Sequence, residues 1–378
     1  MARPTRILFA GGGTGGHVYP AIAIADAVRD LEPEAEIRFA GTREKMEWEA
    51  VPKAGYRIHP ITISGLHRGQ PFRNLTLPFK LVRSLMESRR LVKRFDPDVA
   101  VGTGGYVSGP VLMTASFRGK PIVIQEQNAY AGLTNRFLGK RADRIHVAFL
   151  EAKDFLPSEK CVYSGNPTRK DLTRADSVEA RRFYDLPPDA FVLVVFGGSL
   201  GSRAINDAMS SHVSELLQDE NLWIIWQTGR QYFKDVNRRV AEHPRLKVLE
   251  YVDRMDLTYA AANLAMCRSG AITCSELMVT GTPAILIPSP NVAEDHQTHN
   301  ARSMANAGAA VLIPEAEMES RLTAEVVALK SNSSRLRKMS EAARAIARPD
   351  AASAIARDIL AIAGSRIQDP GSRGRPGT

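Results

Sequence analysis

Ala10-Gly11-Gly12-Gly13-Thr14-Gly15-Gly16-His17-Val18-Tyr19-Pro20 decides the fold, because of what stands on either side of it. Arg6-Ile7-Leu8-Phe9 is an apolar run that reads as a buried strand, and Ala21 to Ala27 reads as a helix. A strand, a glycine loop and a helix in that order open a doubly wound α/β sheet. Glycines let the backbone approach a ligand closely, and a helix N-terminus offers free N–H groups and the positive end of its dipole. Gly11, Gly13 and Gly16 satisfy G-x-G-x-x-G, a string that also marks tight turns without a ligand.

The chain of 378 residues exceeds what one core supports, so two domains are expected. No apolar run approaches the roughly eighteen residues that a membrane span needs. Met1-Ala2-Arg3-Pro4 leads straight into the first strand, so no signal peptide is expected. Cys161, Cys267 and Cys274 are odd in number and lack metal-ligand spacing, which points to reduced thiols in the cytosol. The net charge of +9 suits an anionic partner, whether nucleotide, phospholipid surface or nucleic acid.

Apolar runs alternate with helical patterns along the whole chain. Strands are expected at 37–40, 99–101, 121–124, 145–147 and 161–163, then at 191–196, 222–226, 247–249, 264–266, 284–287 and 310–312. Continuous apolar strands between helices predict parallel sheets covered on both faces. Phe191 to Phe196 runs into Gly197-Gly198-Ser199-Leu200-Gly201-Ser202-Arg203 and a helical stretch, repeating the plan of residues 6–27. Two Rossmann-like domains follow, with a boundary near Gly165-Asn166-Pro167. The turn-rich basic tail from Gly364 is expected to be disordered.

In doubly wound sheets, ligands bind beyond the carboxyl ends of the strands. In the first half that edge carries 10–17, Gly102 to Pro110, and Gln125-Glu126-Gln127-Asn128. In the second it carries 197–203, Tyr251-Val252-Asp253, Arg268 to Thr273, and 289–297. NAD would want an acidic residue at the tip of the second strand, where Ala40-Gly41-Thr42-Arg43 has none. Arg43 leaves NADP open but does not explain the second glycine loop.

Taken together these motifs resemble the MurG family of UDP-N-acetylglucosamine transferases, which convert lipid I to lipid II. The matching pieces are Gly11 to Pro20, Gly104 to Pro110, Glu126-Gln127-Asn128, Gly165-Asn166-Pro167, Gly197-Gly198-Ser199, Arg268-Ser269-Gly270-Ala271 and Asp295 to Ala301, in family order. The resemblance implies a GT-B fold, two Rossmann-like domains with a cleft between them. It implies an acceptor and membrane-associating domain (1–165), a UDP-GlcNAc domain (166–348), a C-terminal helix returning to the first domain (349–363) and a tail (364–378).

For UDP-GlcNAc the resemblance implies Thr14, Gly15, Gly16, Asn128, Arg169, Ser199, Val252, Ala271, Ile272, Glu276 and Gln297. Glu276 would take the ribose hydroxyls, although Thr273-Cys274-Ser275-Glu276 also spells a capping box. Arg169 and the Val252 main chain would meet the uracil, and Ser199 the diphosphate. Asn128 and Gln297 are amides suited to a neutral sugar. Arg268 is either a diphosphate partner or a surface arginine. Gly13, Thr14, Gly104, Gly105 and Tyr106 would receive the acceptor's diphosphate.

His17 is the first candidate for general base, since imidazole titrates near neutrality, and Glu126 is the second. The family commonly has His-Glu-Gln-Asn where this chain has Gln125-Glu126-Gln127-Asn128, so no proton transfer can be assigned to Gln125. Asp96-Pro97-Asp98 spells D-x-D but precedes its strand, at the wrong edge for a ligand. No metal and no cofactor are expected.

Residues 68–94 are rich in Lys and Arg, with Glu87 the lone acid. Leu81, Leu85, Val92 and Phe95 share a helical stripe expected to face the core. Phe72, Leu75 and Phe79, beside Lys80 and Arg83, then form a patch for an anionic bilayer at the cytoplasmic face of the inner membrane. No nucleic-acid module is visible. The resemblance adds cell-wall synthesis and division proteins as partners. The competing readings are an NADP oxidoreductase and a non-catalytic membrane or polyanion binder.

Overall fold

A computed structural model describes residues 3–65, 77–169 and 172–368. Phe72 and Leu75 of the expected membrane patch lie outside the described residues, as does the end of the tail. The chain divides into two compact units, Met1–Pro167 with Asp350–Thr378, and Thr168–Pro349.

The first unit holds strands β1 (Arg6–Gly11), β2 (Glu36–Gly41), β3 (Arg57–Pro60), β4 (Val99–Gly104), β5 (Ile122–Glu126), β6 (Arg144–Val147) and β7 (Cys161–Tyr163). They form one sheet in the order β3-β2-β1-β4-β5-β6-β7, every pair parallel. The second unit holds β8 (Phe191–Phe196), β9 (Leu222–Gln227), β10 (Leu246–Leu249), β11 (Leu264–Cys267), β12 (Ala284–Leu286) and β13 (Ala310–Leu312). Their order is β10-β9-β8-β11-β12-β13, again parallel. In each sheet the winding reverses beside the first strand, at β1/β4 and at β8/β11. The loops that leave those strands are therefore the ones free to hold a ligand.

β1 and β4 are buried along almost their whole length because helices cover both faces, which is why their sequences are apolar without alternation. β3 was not foreseen. It has Ile58 between Arg57 and His59, and it becomes a strand only by pairing with the edge of β2. The Asp96-Pro97-Asp98 turn leads into β4: Asp98 is buried and accepts from the Arg6 N–H at 2.9 Å, while Asp96 pairs with Lys120.

The chain returns to the first unit as the helix Ala351–Gln368, which packs along the helix Gly15–Leu31. Ile355, Ala356, Ile359 and Ala363 are fully buried in the cluster that holds Ile7, Phe9, Val99 and Val101. The helix passes Gly364, where the tail was expected to begin, and continues to Gln368. A glycine inside a helix costs only about 1 kcal/mol, and the packed turn at Ala363 offsets it. Polar contacts fix the seat: Asp358 lies 3.2 Å from His146 Nε2 and 3.0 Å from Arg144 Nε. His146, with Arg144 adding, holds the Asp358 carboxyl below its ordinary range.

Two outcomes follow for this seat. Ile359→Ala should destabilise the first unit by about 2–5 kcal/mol through the cavity it leaves, measurable by denaturant unfolding. A carboxyl depressed on folding stabilises above its unfolded pKa, and that contribution disappears as pH falls through the folded value. Asp358→Asn should therefore lower the thermal midpoint at neutral pH, with the difference from the native protein vanishing well below about pH 4.

Candidate active site

In the first unit the polar groups collect where β1 and β4 part. Ala10 opposes Gly102 but Gly11 opposes Gly104, so Thr103 is the extra residue of a bulge. Bulges re-aim the groups they carry. The Thr103 hydroxyl donates to the His17 carbonyl at 2.8 Å, and the Thr103 carbonyl accepts from Gln127 Nε2 at 2.8 Å. Just beyond, Gly104 and Gly105 have φ of +103° and +79°. A Cβ at 104 would stand 2.9 Å from His17 Nδ1, and one at 105 would stand 2.3 Å from the Gly12 carbonyl oxygen. Only glycine permits both the conformation and the approach.

His17 stands in the first turn of the helix Gly15–Leu31, behind the extended Thr14. Its ring is half-buried, with Nδ1 3.0 Å from Gln127 Oε1. Gln127 Nε2 also donates to the Gln125 carbonyl at 2.9 Å and faces Gln125 Oε1. Gln125 Nε2 donates to Asn166 Oδ1 at 2.8 Å, and Asn166 Nδ2 to the Gln127 carbonyl at 3.0 Å. Gln125, Gln127 and Asn166 are all buried, so the departure at Gln125 falls on a member of an internal amide network.

Glu126 is 1% exposed and engaged on both oxygens. Oε1 accepts from the Asn128 N–H at 2.9 Å; Oε2 accepts from the Gly132 N–H at 3.0 Å and Asn135 Nδ2 at 2.8 Å. That geometry ties the loop 127–132, with Asn128 half-buried on it, to the start of the helix Leu133–Gly139.

Glu47 was missed altogether. It is fully buried beneath the glycine loop and accepts from the Gly13 N–H and the Thr42 N–H, each at 3.0 Å, and from the Thr42 hydroxyl at 2.5 Å. Nothing in the stretch Arg43 to Glu49, with five charged residues in seven, marks one of them for burial. The Gly13 N–H is thus turned onto a carboxylate, so any part that Gly13 has at the acceptor's diphosphate is not played by that amide. The same contact counts against a dinucleotide here, and Arg43 lies over the Trp48 ring at 5.1 Å. Thr14, Gly15 and Gly16 remain at the helix start, and the exposed Tyr106 ring lies against Gly65.

The second unit repeats the arrangement at β8 and β11, around a cavity of about 500 Å³ lined by Gly197, Ser202, Arg268, Gln297 and Glu315 among others. Ser202 caps the helix Arg203–Leu216. Its hydroxyl oxygen accepts from Arg268 Nη2 at 2.7 Å. Arg268 also reaches the Ile287 carbonyl and pairs with Glu315. It belongs to the wall of the cavity and is not a surface arginine. Ser199 is exposed on the loop.

The helix Ala271–Thr280 starts after Gly270, so Thr273 lies inside it and the capping-box reading of Thr273–Glu276 fails. Ala271 and Ile272 form its first turn. Glu276 is buried one turn further on; Oε2 accepts from the Tyr259 hydroxyl at 3.1 Å and Oε1 lies 3.8 Å from Arg169 Nε. Burial first, and the Glu276 charge second, push the Tyr259 hydroxyl up, which keeps it a donor. The Val252 N–H donates to Gln227 Oε1 at 3.1 Å. Gln297 Oε1 accepts from the Ser289 N–H at 2.9 Å, and its carbonyl from the Ser269 hydroxyl at 2.8 Å. Before it, Glu294 and Asp295 both have left-handed φ, of 55° and 49°. Backbone strain of this kind costs of order 1–3 kcal/mol per residue and gathers at functional sites.

The helix Leu77–Phe95 keeps Val92 and Phe95 of the expected stripe on the core and corrects the other two. Its buried face is Ser84, Ser88, Leu91, Val92 and Phe95, while Leu81 and Leu85 are exposed. Two serines let the helix lie close to its neighbours, and the leucines fall outside the contact. Phe79 (79% exposed), Leu81, Val82, Leu85 and Met86 therefore present an apolar surface. Lys80 reaches Ser64 and Arg83 pairs with Glu87.

Residues 7–147 match the glycosyltransferase family 28 N-terminal domain and 192–355 the family's C-terminal domain. A Salinibacter ruber protein named UDP-N-acetylglucosamine–N-acetylmuramyl-(pentapeptide) pyrophosphoryl-undecaprenol N-acetylglucosamine transferase is 58% identical over 96% of this chain and 98% of its own. A Porphyromonas gingivalis protein of the same name is 42% identical over 94% and 95%. The crystal structure of Acinetobacter baumannii MurG superposes with a TM-score of 0.78 at 28% identity, covering 95% of this chain and all of that one. The fold is GT-B, and the chain belongs to the MurG family of N-acetylglucosamine transferases within glycosyltransferase family 28.

Proposed function

We propose that the protein is an inverting glycosyltransferase that moves GlcNAc from UDP-GlcNAc to the 4-hydroxyl of the MurNAc of lipid I, forming lipid II. The observation that carries this reading is the 58% identity with the Salinibacter ruber transferase across nearly the whole of both chains. In the second unit, Glu276 accepts the ribose hydroxyls, Arg169 lies at the uracil, and Val252 reads the base through its carbonyl, since its N–H serves Gln227. Ser199 and the starts of the helices Arg203–Leu216 and Ala271–Thr280 take the diphosphate. Gln297 contacts the sugar. In the first unit, the amides from Thr14 to Gly16, with Gly105 and Tyr106, take the acceptor's diphosphate.

His17 is the base. As the 4-hydroxyl oxygen attacks the anomeric carbon, its proton passes to the imidazole, the bond from that carbon to the phosphate oxygen breaks, and UDP leaves with the electron pair. Helix N-terminal amides offset the charge on departing UDP. Glu126, saturated by its own loop, acts as scaffold. The protein works at the cytoplasmic face of the membrane, held peripherally by the apolar and basic face of Leu77–Phe95. Among the described residues no helix is long and apolar enough to cross a membrane.

Purified protein should transfer labelled GlcNAc to a lipid I analogue without added divalent metal; no transfer with intact UDP-GlcNAc binding would overturn the function. His17→Ala should lower kcat by about 10²–10⁴-fold with little change in UDP-GlcNAc affinity. Glu276→Ala should raise KM for UDP-GlcNAc by about 10- to 100-fold, as expected for lost hydrogen bonds to a charged group. Phe79→Ser combined with Lys80→Glu should reduce binding to vesicles containing anionic lipid, read by co-sedimentation.

A further inference from the structure

We propose that Gln127 is a positioning residue that holds neutral His17 with its proton on Nδ1, so that Nε2 carries the basic lone pair. The inference rests on the reading of His17 as the base and adds the group that sets its direction.

Imidazole has two nitrogens, and which of them carries the proton is set by the hydrogen bond the other makes. Nδ1 lies 3.0 Å from Gln127 Oε1. An amide side chain could in principle present either end. The surroundings of Gln127 leave one choice. Its other end faces the Thr103 carbonyl at 2.8 Å, the Gln125 carbonyl at 2.9 Å and Gln125 Oε1. Turning the amide over would set an oxygen against three oxygens in a site where Gln127 is 1% exposed. Buried polar groups mismatched in this way bear the full cost of desolvation with no partner in return.

The same polarity is reached from a second direction. The Gln127 main-chain carbonyl can only accept, and it accepts from Asn166 Nδ2 at 3.0 Å. Asn166 must therefore offer its oxygen to Gln125 Nε2, at 2.8 Å. Gln125 then turns its oxygen towards Gln127 Nε2, and Gln127 turns its own towards the ring. Main-chain carbonyls thus dictate, through three buried amides, that Nδ1 donates. Gly104 completes the arrangement, because a side chain there would occupy the space of the ring edge that carries Nδ1.

The test uses the full chain labelled with ¹⁵N-histidine, with the His17 signal assigned by its loss in His17→Ala. Long-range ¹H–¹⁵N correlation at a pH where the ring is neutral should show the proton on Nδ1. Gln127→Met should shift the tautomer towards Nε2–H and lower kcat about 10- to 100-fold, with KM for UDP-GlcNAc unchanged. A proton on Nε2 in the native protein overturns the proposal, as does Gln127→Met with native tautomer and kcat. If Gln127→Met does not fold, the native spectrum alone decides. Loss of turnover in His17→Ala with no effect of Gln127→Met sinks the Gln127 assignment alone. Full turnover in His17→Ala sinks the base reading, and the catalytic weight of Gln127 with it.

Discussion

Two main-chain loops pass so closely at the β1/β4 switch point that neither can carry a side chain where they meet. Gly105 lies against the Gly12 carbonyl, and Gly104 lies against the His17 ring. The slip in strand pairing at Thr103 is the means by which β4 makes that approach, because one extra residue turns both Thr103 polar groups onto neighbours. The ring position, the helix start behind it and the amide network beneath it are all consequences of this contact. A methyl group at 104 would displace the ring; at 105 it would push the whole loop away.

The two units solve the same loop problem with opposite charges. Beneath the first glycine loop lies a carboxylate, Glu47, which takes the Gly13 N–H for itself. Beside the second lies a guanidinium, Arg268, held by Ser202, by the Ile287 carbonyl and by Glu315. A fixed cation and two helix starts suit a nucleoside diphosphate that leaves with its charge. A loop already braced by an anion is a poor cradle for a dinucleotide. This asymmetry, rather than the glycine pattern that both loops share, separates the two sites.

The sheets were legible because parallel strands are buried on both faces and so write themselves as unbroken apolar runs. β3 was not, since Arg57 and His59 flank its one aliphatic residue and only the open edge of β2 makes it a strand. The helix Leu77–Phe95 misled for a related reason. Periodicity selects the largest apolar residues, whereas Ser84 and Ser88 form the contact by being small and leave Leu81 and Leu85 outside. That His17 and the glycine loops stand at the strand ends of the switch points was legible from the strand–loop–helix pattern. Glu47 and the work of Gln127 were not, because a carboxylate in a charged stretch has no mark of burial, and an amide has no direction until its neighbours are known.

Satisfaction sorts the buried carboxylates into roles. Glu47 accepts three hydrogen bonds and Glu126 is held on both oxygens by the backbone and side chains of its own loop. Such groups brace structure, and taking a substrate proton would break the bonds that hold them. Glu276 is engaged from outside its own helix: the Tyr259 hydroxyl donates to Oε2, and Arg169 Nε lies 3.8 Å from Oε1. The base role proposed for His17 fits the same test, since its Nδ1 is held by a neutral amide and uptake of a proton would leave the loop of Glu126 intact.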